Sequence, residues 1–463
     1  MRTWMLSALF VAFAATLPAQ QTHFGENVDV HLVGIDAIVT DAHGNRVHGL
    51  RAADFEILEG SRPQEVTNLS EYRAGAAPAH QDREPHSLLI LIDSLPIQAF
   101  VRQTFFRQLE DALPRLMAEG DHVSVVYWEP GLDRSREVID STDRARVVGA
   151  IRALEASMPA FQPGVRNGET GLMFLDWKTA AIGRLINALG ARAGKKAVLY
   201  ISDNLDFVGD EHPNYGTARL YIDRIPTAAN ANGVTFYVAA PRAGDALPLI
   251  TEATGGLLGF SRSAVAELAP KMEEDLESYY SLAYRARSDG LDHERKVTVK
   301  AKNRAYSVRT RGTIFEKSNA AKARDVVVSR LFGDEGGTDI RFEVIQEPIR
   351  RGTKPDQWLL PVVLRIPAEQ IQFAPDRDAS TAHVGILVAS ANGVAEVTPI
   401  TTHDLSVTEK DLENRFITYS FEILGDRRGS KVSIGVVDRS TGAVGVQTID
   451  NRSPSTNAKL ETE

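Results

Sequence analysis

The spacing of apolar residues changes character along this chain, and each change marks a different kind of element. Between residues 27 and 72 apolar and polar positions alternate: Val28, Val30 and Leu32 in one phase, then Val33, Ile35, Ala37 and Val39 in the other. That pattern predicts short strands, with a bulge near Gly34 where the phase shifts. Turns at Asp41 to Asn45 and at Glu59-Gly60 bracket two more short apolar runs, Val47 to Leu50 and Phe55 to Leu58. Residues 73 to 86, rich in Ala, Pro and charge, read as a linker.

At Ser87 the pattern switches. Leu88 to Ile92 are apolar without interruption and stop at Asp93. A run of this kind predicts a strand covered on both faces, as in a parallel sheet with helices on either side. Burying five such side chains contributes on the order of 8 to 15 kcal/mol before conformational entropy opposes it. Helical spacing follows in Phe105, Leu109, Leu113 and Leu116, then in Val147, Ile151 and Leu154, in Ile182, Leu185, Ile186 and Leu189, and around Ala218 to Ala231. Between these lie the apolar runs Val123 to Trp128, Ala197 to Ile201, Val234 to Ala239 and Leu257 to Phe260. Such βα alternation predicts a doubly wound, Rossmann-like α/β domain over 86–262. A helix over 263–278 is followed by strands over 279–315 and a charged connection near Glu316 to Arg324. About eight further strands over 325–450 suit a β-sandwich, and the polar tail 451–463 is expected to be disordered.

The chain is therefore expected to be multidomain, α/β plus all-β, with an α/β domain flanked by β-sandwich modules. Three or four strands are few for an independent core. Segments 27–72 and 279–315 are accordingly expected to pair into one sandwich around the inserted α/β domain. A length of 463 residues suggests two to four cores.

Charge and composition then narrow the function. A net charge of −9 argues against nucleic acid as a partner. Arg2, the apolar run Trp4 to Leu17 and Pro18-Ala19-Gln20 have the three parts of a secretory signal over 1–20. At about 14 residues that run is short of the roughly 20 needed to span a bilayer. The expected mature chain is exported to the periplasm or medium, with no transmembrane span. Cysteine is absent, which removes disulfides, thiolate metal sites and a cysteine nucleophile. No Gly-x-Ser-x-Gly elbow, Ser-x-x-Lys pair, P-loop, Gly-x-Gly-x-x-Gly or His-Glu-x-x-His occurs. The acidic group Asp203, Asp206, Asp210 and Glu211 lacks the spacing of a calcium loop and reads as a solvated loop. Tyr279, Tyr280, Tyr284 and Tyr306 read as cross-strand packing, with a sugar-binding face as the functional alternative. The basic run from Lys296 to Arg311 reads as the wet face of a sheet.

Several short motifs occur in a telling order. They are Val39-Thr40-Asp41 with Gly44 and Val47, Leu50, Asp54 to Glu59 with Gln64, Leu89 to Asp93, and Gly120-Asp121-His122-Val123. Lys195-Lys196-Ala197 to Ser202-Asp203, Thr254-Gly255-Gly256 and Tyr279-Tyr280 to Tyr284 complete the series. Over roughly 27–315 the chain resembles the von Willebrand factor A-related secreted proteins of the acidobacterial type. The resemblance implies an A-type domain, which in many relatives holds a divalent cation at the carboxyl edge of the sheet, with a partner's ligand completing the shell. Carried over, the first aspartate falls on Asp93, the third-loop aspartate on Asp203 and the second-loop threonine on Thr170. The two serine positions fall on Leu95 and Ile97, which offer no side-chain oxygen. Mg²⁺ needs about six oxygens, so the Mg²⁺ or Ca²⁺ site the resemblance implies is expected to be incomplete. Asp93 and Asp203 are then expected to cap helices or loop amides without a metal or other cofactor. The reading that follows is a non-enzymatic, exported interaction protein of adhesion type with an extracytoplasmic protein partner. The alternative is a hydrolase using Asp93 or Asp203 as acid or base.

Overall fold

The computed structural model describes residues 29–73, 85–93, 99–129, 134–158, 168–192, 194–202, 205, 215–241, 246–288, 291–331, 338–353, 357–376, 379–391, 398, 400–412, 414–426 and 431–450. The first strands are β1 (Asp29–Thr40), β2 (Phe55–Glu59), β3 (Arg62–Gln64) and β4 (Val66–Tyr72). Val33, Ile35, Ala37 and Val39 of β1 are buried, while Leu32 is exposed on the other face. The first apolar phase is thus the outer face of one continuous strand. Its pairing runs regularly through Gly34, so the bulge expected there is absent.

The α/β unit comes next. Its elements are β5 (Ser87–Asp93), α1 (Ala99–Leu116), β6 (His122–Glu129), β7 (Arg134–Ser141), α2 (Arg144–Ser157) and α3 (Gly168–Gly190). They continue with β8 (Lys196–Ile201), α4 (Tyr215–Ala231), β9 (Val234–Ala240), α5 (Ala246–Thr254), β10 (Leu258–Phe260) and α6 (Ala264–Glu277). The six strands form one sheet in the order β10-β9-β8-β5-β6-β7. Its pairs are parallel except β6 with β7. Every residue of β5 is buried, because alternate side chains enter two different cores. Leu88, Ile90 and Ile92 meet α1, α2 and α6 on one face, and Leu89 and Leu91 meet α3, α4 and α5 on the other.

Two elements of this unit escape the apolar pattern. The edge strand β7 reads RSREVIDS, and an edge strand can be polar because only one of its sides is paired. Helix α3 starts at Gly168, well before its apolar stripe becomes obvious at Ile182. Thr170, expected on a loop, is therefore a helical residue.

After α6 the chain returns to β structure with β11 (Tyr279–Ser288), β12 (His293–Ala301), β13 (Ser307–Arg309) and β14 (Thr313–Glu316). These strands share two sheets with the first four, alternating with them in β13-β1-β11-β4 and lying beside them as a pair in β14-β12-β2-β3. The two sheets share a core built on Ile35, Ala37, Phe55, Ile57, Leu282 and Tyr284. Tyr280 and Tyr284 point into that core, whereas Tyr279 stacks outside on Tyr72 at 4.5 Å. The tyrosines therefore form no common face.

The expected charged connection is α7 (Asn319–Arg330). Ser318 caps it by accepting the Ala321 N–H. Its Ala323 and Val327 pack on Leu387, Ala389 and Val437 of the last sandwich. The charge-rich sequence hid a helix that buries only one narrow stripe. Among the described residues nine strands follow, beginning with β15 (Glu343–Gln346), β16 (Arg350–Arg351), β17 (Gln357–Pro367) and β18 (Ala374–Asp376). The rest are β19 (Ala379–Ala391), β20 (Thr401–Thr408), β21 (Phe416–Asp426), β22 (Lys431–Asp438) and β23 (Val444–Asp450). They form two antiparallel sheets, one centred on β17 and the other on β19 and β22, around a core that includes Leu360, Val362, Leu364, Val384, Ile386 and Ile434.

Candidate functional site

Asp93 ends the central strand, beside β8 on one side and β6 on the other. Its side chain is fully buried. Tyr200 of β8 donates its hydroxyl to Asp93 Oδ2 at 2.8 Å, and Ser202, one residue past β8, donates to the same oxygen at 3.3 Å. The third partner is a cation from the opposing helix: Lys178 of α3 forms an ion pair with Asp93 Oδ2. Lys178 is itself buried and lies 5.8 Å from the Trp128 ring centroid and 5.4 Å from that of Phe174. Trp128, Phe174 and Trp177 pack edge-on or tilted against one another. A buried carboxylate and a buried ammonium beside the Trp128 and Phe174 rings offset each other's desolvation, and the rings add attraction to the cation.

This arrangement does not fit a divalent cation. A metal bound to Asp93 would meet the Lys178 ammonium on the same carboxylate oxygen, and like charges repel strongly out of water. Thr170 sits eight residues before Lys178 on the same helix, about 12 Å along its axis. Asp203, Leu95, Ile97 and the acidic group at 206–211 lie outside the described residues, as does the signal-like segment 1–20. Among the described residues no group of three or more acidic or histidine side chains could hold a metal. Of the expected assembly Asp93 is described, with Lys178, Tyr200 and Ser202 as partners; Thr170 lies on α3 and Asp203 falls outside the described residues.

Sequence reading passed over Lys178 because a lysine in a helix ordinarily faces water. The signal lay in its phase. Phe174, Leu175, Lys178, Ile182 and Leu185 fall on one stripe at spacings of three and four, and all are buried.

Helices leading into parallel strands begin at the carboxyl edge of the sheet, so α1, α3 and α4 all open there. The exposed large apolar side chains of the unit among the described residues are Phe100, Met173, Leu220 and Phe260, at 50%, 70%, 68% and 60% exposure. The first three lie in the opening turns of α1, α3 and α4, and Phe260 ends β10. All four are thereby placed at one edge. Arg262 covers part of Phe100, its guanidinium 5.1 Å from the ring centroid.

No family model and no curated protein matches the chain. Among solved structures it is similar to an aerotolerance-related membrane protein from Bacteroides fragilis, at 11% identity and a TM-score of 0.25, covering 40% of this chain and 98% of that one. It is also similar to the human COPII-coat protein Sec24c, at 10% identity and a TM-score of 0.26, covering 53% of this chain and 46% of the other. Likeness at this level is no guide to role. Among the described residues no helix is long and apolar enough to cross a membrane.

Proposed function

We propose that the protein is an exported, non-enzymatic interaction protein whose α/β unit is a doubly wound von Willebrand factor A-type domain that engages a protein partner at its carboxyl edge without a metal ion. The observation that carries this reading is the Asp93–Lys178 pair: the position that would anchor a bridging cation is filled by an internal one. Four exposed apolar side chains at the same edge supply the kind of surface a protein partner buries. Two further features support the domain type, the strand order β10-β9-β8-β5-β6-β7 and the single antiparallel edge. A buried, ion-paired and twice hydrogen-bonded Asp93 is poorly suited to the hydrolase alternative, since a general base must reach its substrate.

The test is partner capture from the envelope and secreted fractions with the wild-type protein and with Met173→Glu/Leu220→Glu/Phe260→Glu. Recovery of one specific partner by the wild type, its loss in the triple variant and its indifference to EDTA are expected. Release of the partner by EDTA, or its retention by the triple variant, would overturn the proposal.

A further inference from the structure

The outermost strand of an open sheet leaves a row of N–H and C=O groups unpaired, and folded chains protect such edges by brevity, charge, proline, bulges or a covering segment. Most outer strands of this protein are protected in one of these ways. Strands β10, β13 and β14 have four residues or fewer. The pairings of β4 and β7 are bulged, β3 holds Pro63, and Glu347-Pro348-Ile349 separates β15 from β16. Strand β20 carries His403 and Asp404. Strand β23 is covered by Thr338, which bridges to Gly445, and by Asp339, which bonds the N–H and C=O of Val444. Strand β21 has none of these devices. It is eleven residues long, FITYSFEILGD, without lysine, arginine or proline, and pairs with β17 over its full length without a bulge. Among the described residues no strand lies on its other side.

The residues of β21 specify the strand that would fit there. From Phe416 to Leu424 the strand is a palindrome by residue class about Ser420. Two such strands, laid antiparallel with their Ser420 residues opposite each other, set Phe416 against Leu424, Ile417 against Ile423, Thr418 against Glu422 and Tyr419 against Phe421. Apolar then faces apolar, aromatic faces aromatic, and Glu422 faces a hydroxyl instead of another carboxylate. The faces match as well. Ile417 and Ile423 enter the core, whereas Ser420, Glu422 and Leu424 are exposed, Leu424 at 56%, and Phe416 of a second copy would cover that leucine. Arg415, one residue before the strand, would come beside Asp426 of the second copy, so opposite charges meet at both ends of the ladder. Beneath the edge, the ring of His403 from β20 lies 5.8 Å from Tyr419 and 5.3 Å from Phe421. The core side is thus closed, and the backbone edge and outer face are what remain open.

We infer that the protein forms a two-fold homodimer in which β21 pairs antiparallel with β21 of a second copy, joining their two sheets into one. A two-fold axis at Ser420 makes the contact isologous, so it closes at two copies and leaves no further β21 edge open. That closure separates it from the open-ended edge pairing that leads to aggregates. The contact lies on the last sandwich and uses none of the exposed apolar side chains of the α/β unit, so the dimer stands whether or not those side chains bind a partner.

The experiment is sedimentation equilibrium of the full chain and its variants, joined to oxidative cross-linking. Because the chain has no cysteine, Ser420→Cys introduces a single thiol. Directly opposite residues of an antiparallel pair have Cα atoms about 4.5 to 5.5 Å apart, within reach of a disulfide. The wild type is expected to sediment as a dimer in a concentration-dependent manner. Copper-phenanthroline oxidation should convert Ser420→Cys to a covalent dimer but leave Ser440→Cys, exposed in the turn after β22, as a monomer. Ser420→Lys sets two lysines opposite each other and should weaken the dimer about tenfold or more, with the melting temperature of the dilute protein unchanged because Ser420 is exposed. The cysteine arm stands even if the lysine disturbs folding. A wild type that is monomeric at every concentration, a dimer that a folded Ser420→Lys leaves intact, or equal cross-linking at Ser420 and Ser440 would overturn the inference. So would a monomer whose capture of an envelope protein is lost in Ser420→Lys, a result that gives the edge to a strand of that protein.

Discussion

Replacing Lys178 by Met is the sharpest probe of the carboxyl-edge site. The substitution keeps the stem and most of the volume under Trp128 and Phe174 but removes the only cation recorded at Asp93 among the described residues. The Asp93 carboxylate would then stay fully buried with two hydroxyl donors. Breaking one side of a buried pair costs about 3 to 5 kcal/mol, because an uncompensated charge is left behind. For a unit of this size each kcal/mol moves the melting temperature by roughly 2 to 4 °C, so a fall of roughly 6 to 20 °C is expected. Urea unfolding followed by tryptophan fluorescence is a suitable assay, since Trp128 sits beside Lys178 and packs against Trp177. The double variant Asp93→Asn/Lys178→Met removes both charges and should recover at least about half of the loss, as neutral replacements of buried pairs tend to do. A single variant costing less than about 1 kcal/mol, or a double variant no better than the single, would refute the claim that Lys178 neutralises Asp93.

Other outcomes follow from the same geometry. Purified protein should carry no stoichiometric divalent metal by mass spectrometry, and neither Mg²⁺ nor EDTA should move its melting temperature; a Mg²⁺-dependent rise abolished by Asp93→Ala would contradict this. Burial raises the pKa of Glu71, but Arg73, the Gly49 N–H and His48 outweigh it and hold the carboxyl near about 2, below its ordinary 4.5. Because the folded value is the lower, this stabilisation is present above pH 4.5 and is lost as pH falls toward 2. Acid titration of Glu71→Gln should show a flatter stability curve over that window. Gly256→Ala should unfold the α/β unit or abolish expression, since a Cβ there would lie 1.6 Å from the Phe236 carbonyl oxygen; a soluble variant of unchanged melting temperature would be the contrary result.

What the sequence discloses, and what it hides, has a physical basis. Strand β5 is legible because five consecutive apolar residues have no other comfortable place, and it runs as expected into Asp93. The helices α1, α2 and α6 are legible for the matching reason that each shows a clean stripe at 3.6-residue spacing. Elements that bury little apolar surface are not: β7 is a polar edge, and α7 inserts Ala323 and Val327 while the rest of it stays charged. The site is hidden differently. Asp93 announces itself as an acid at the end of an apolar strand, but its counter-charge comes from a helix 85 positions later, and nothing local marks Lys178 except its phase among apolar neighbours. Likewise Arg309 and Arg311, read as the wet face of a sheet, turn into the gap between two units that only the fold brings together. Lys296, Lys300, Lys302 and Arg304 of the same run are exposed as expected.

The sharing of two sheets by β1–β4 and β11–β14 also fixes an order of events during synthesis. Among the described residues β1 pairs along its length with β11 and β13, and β4 with β11, so apart from the Thr40–Arg46 bridge at the end of β1 both strands wait for their partners until the whole α/β unit has been made. Of the first four strands, β2 and β3 alone can pair with each other beforehand. The emerging chain thus carries open strand edges through the synthesis of every residue of the insert, a condition that invites pairing with other chains. Folding of the insert is what brings the late strands back to the early ones, which makes the α/β unit the internal template for a sandwich it does not belong to.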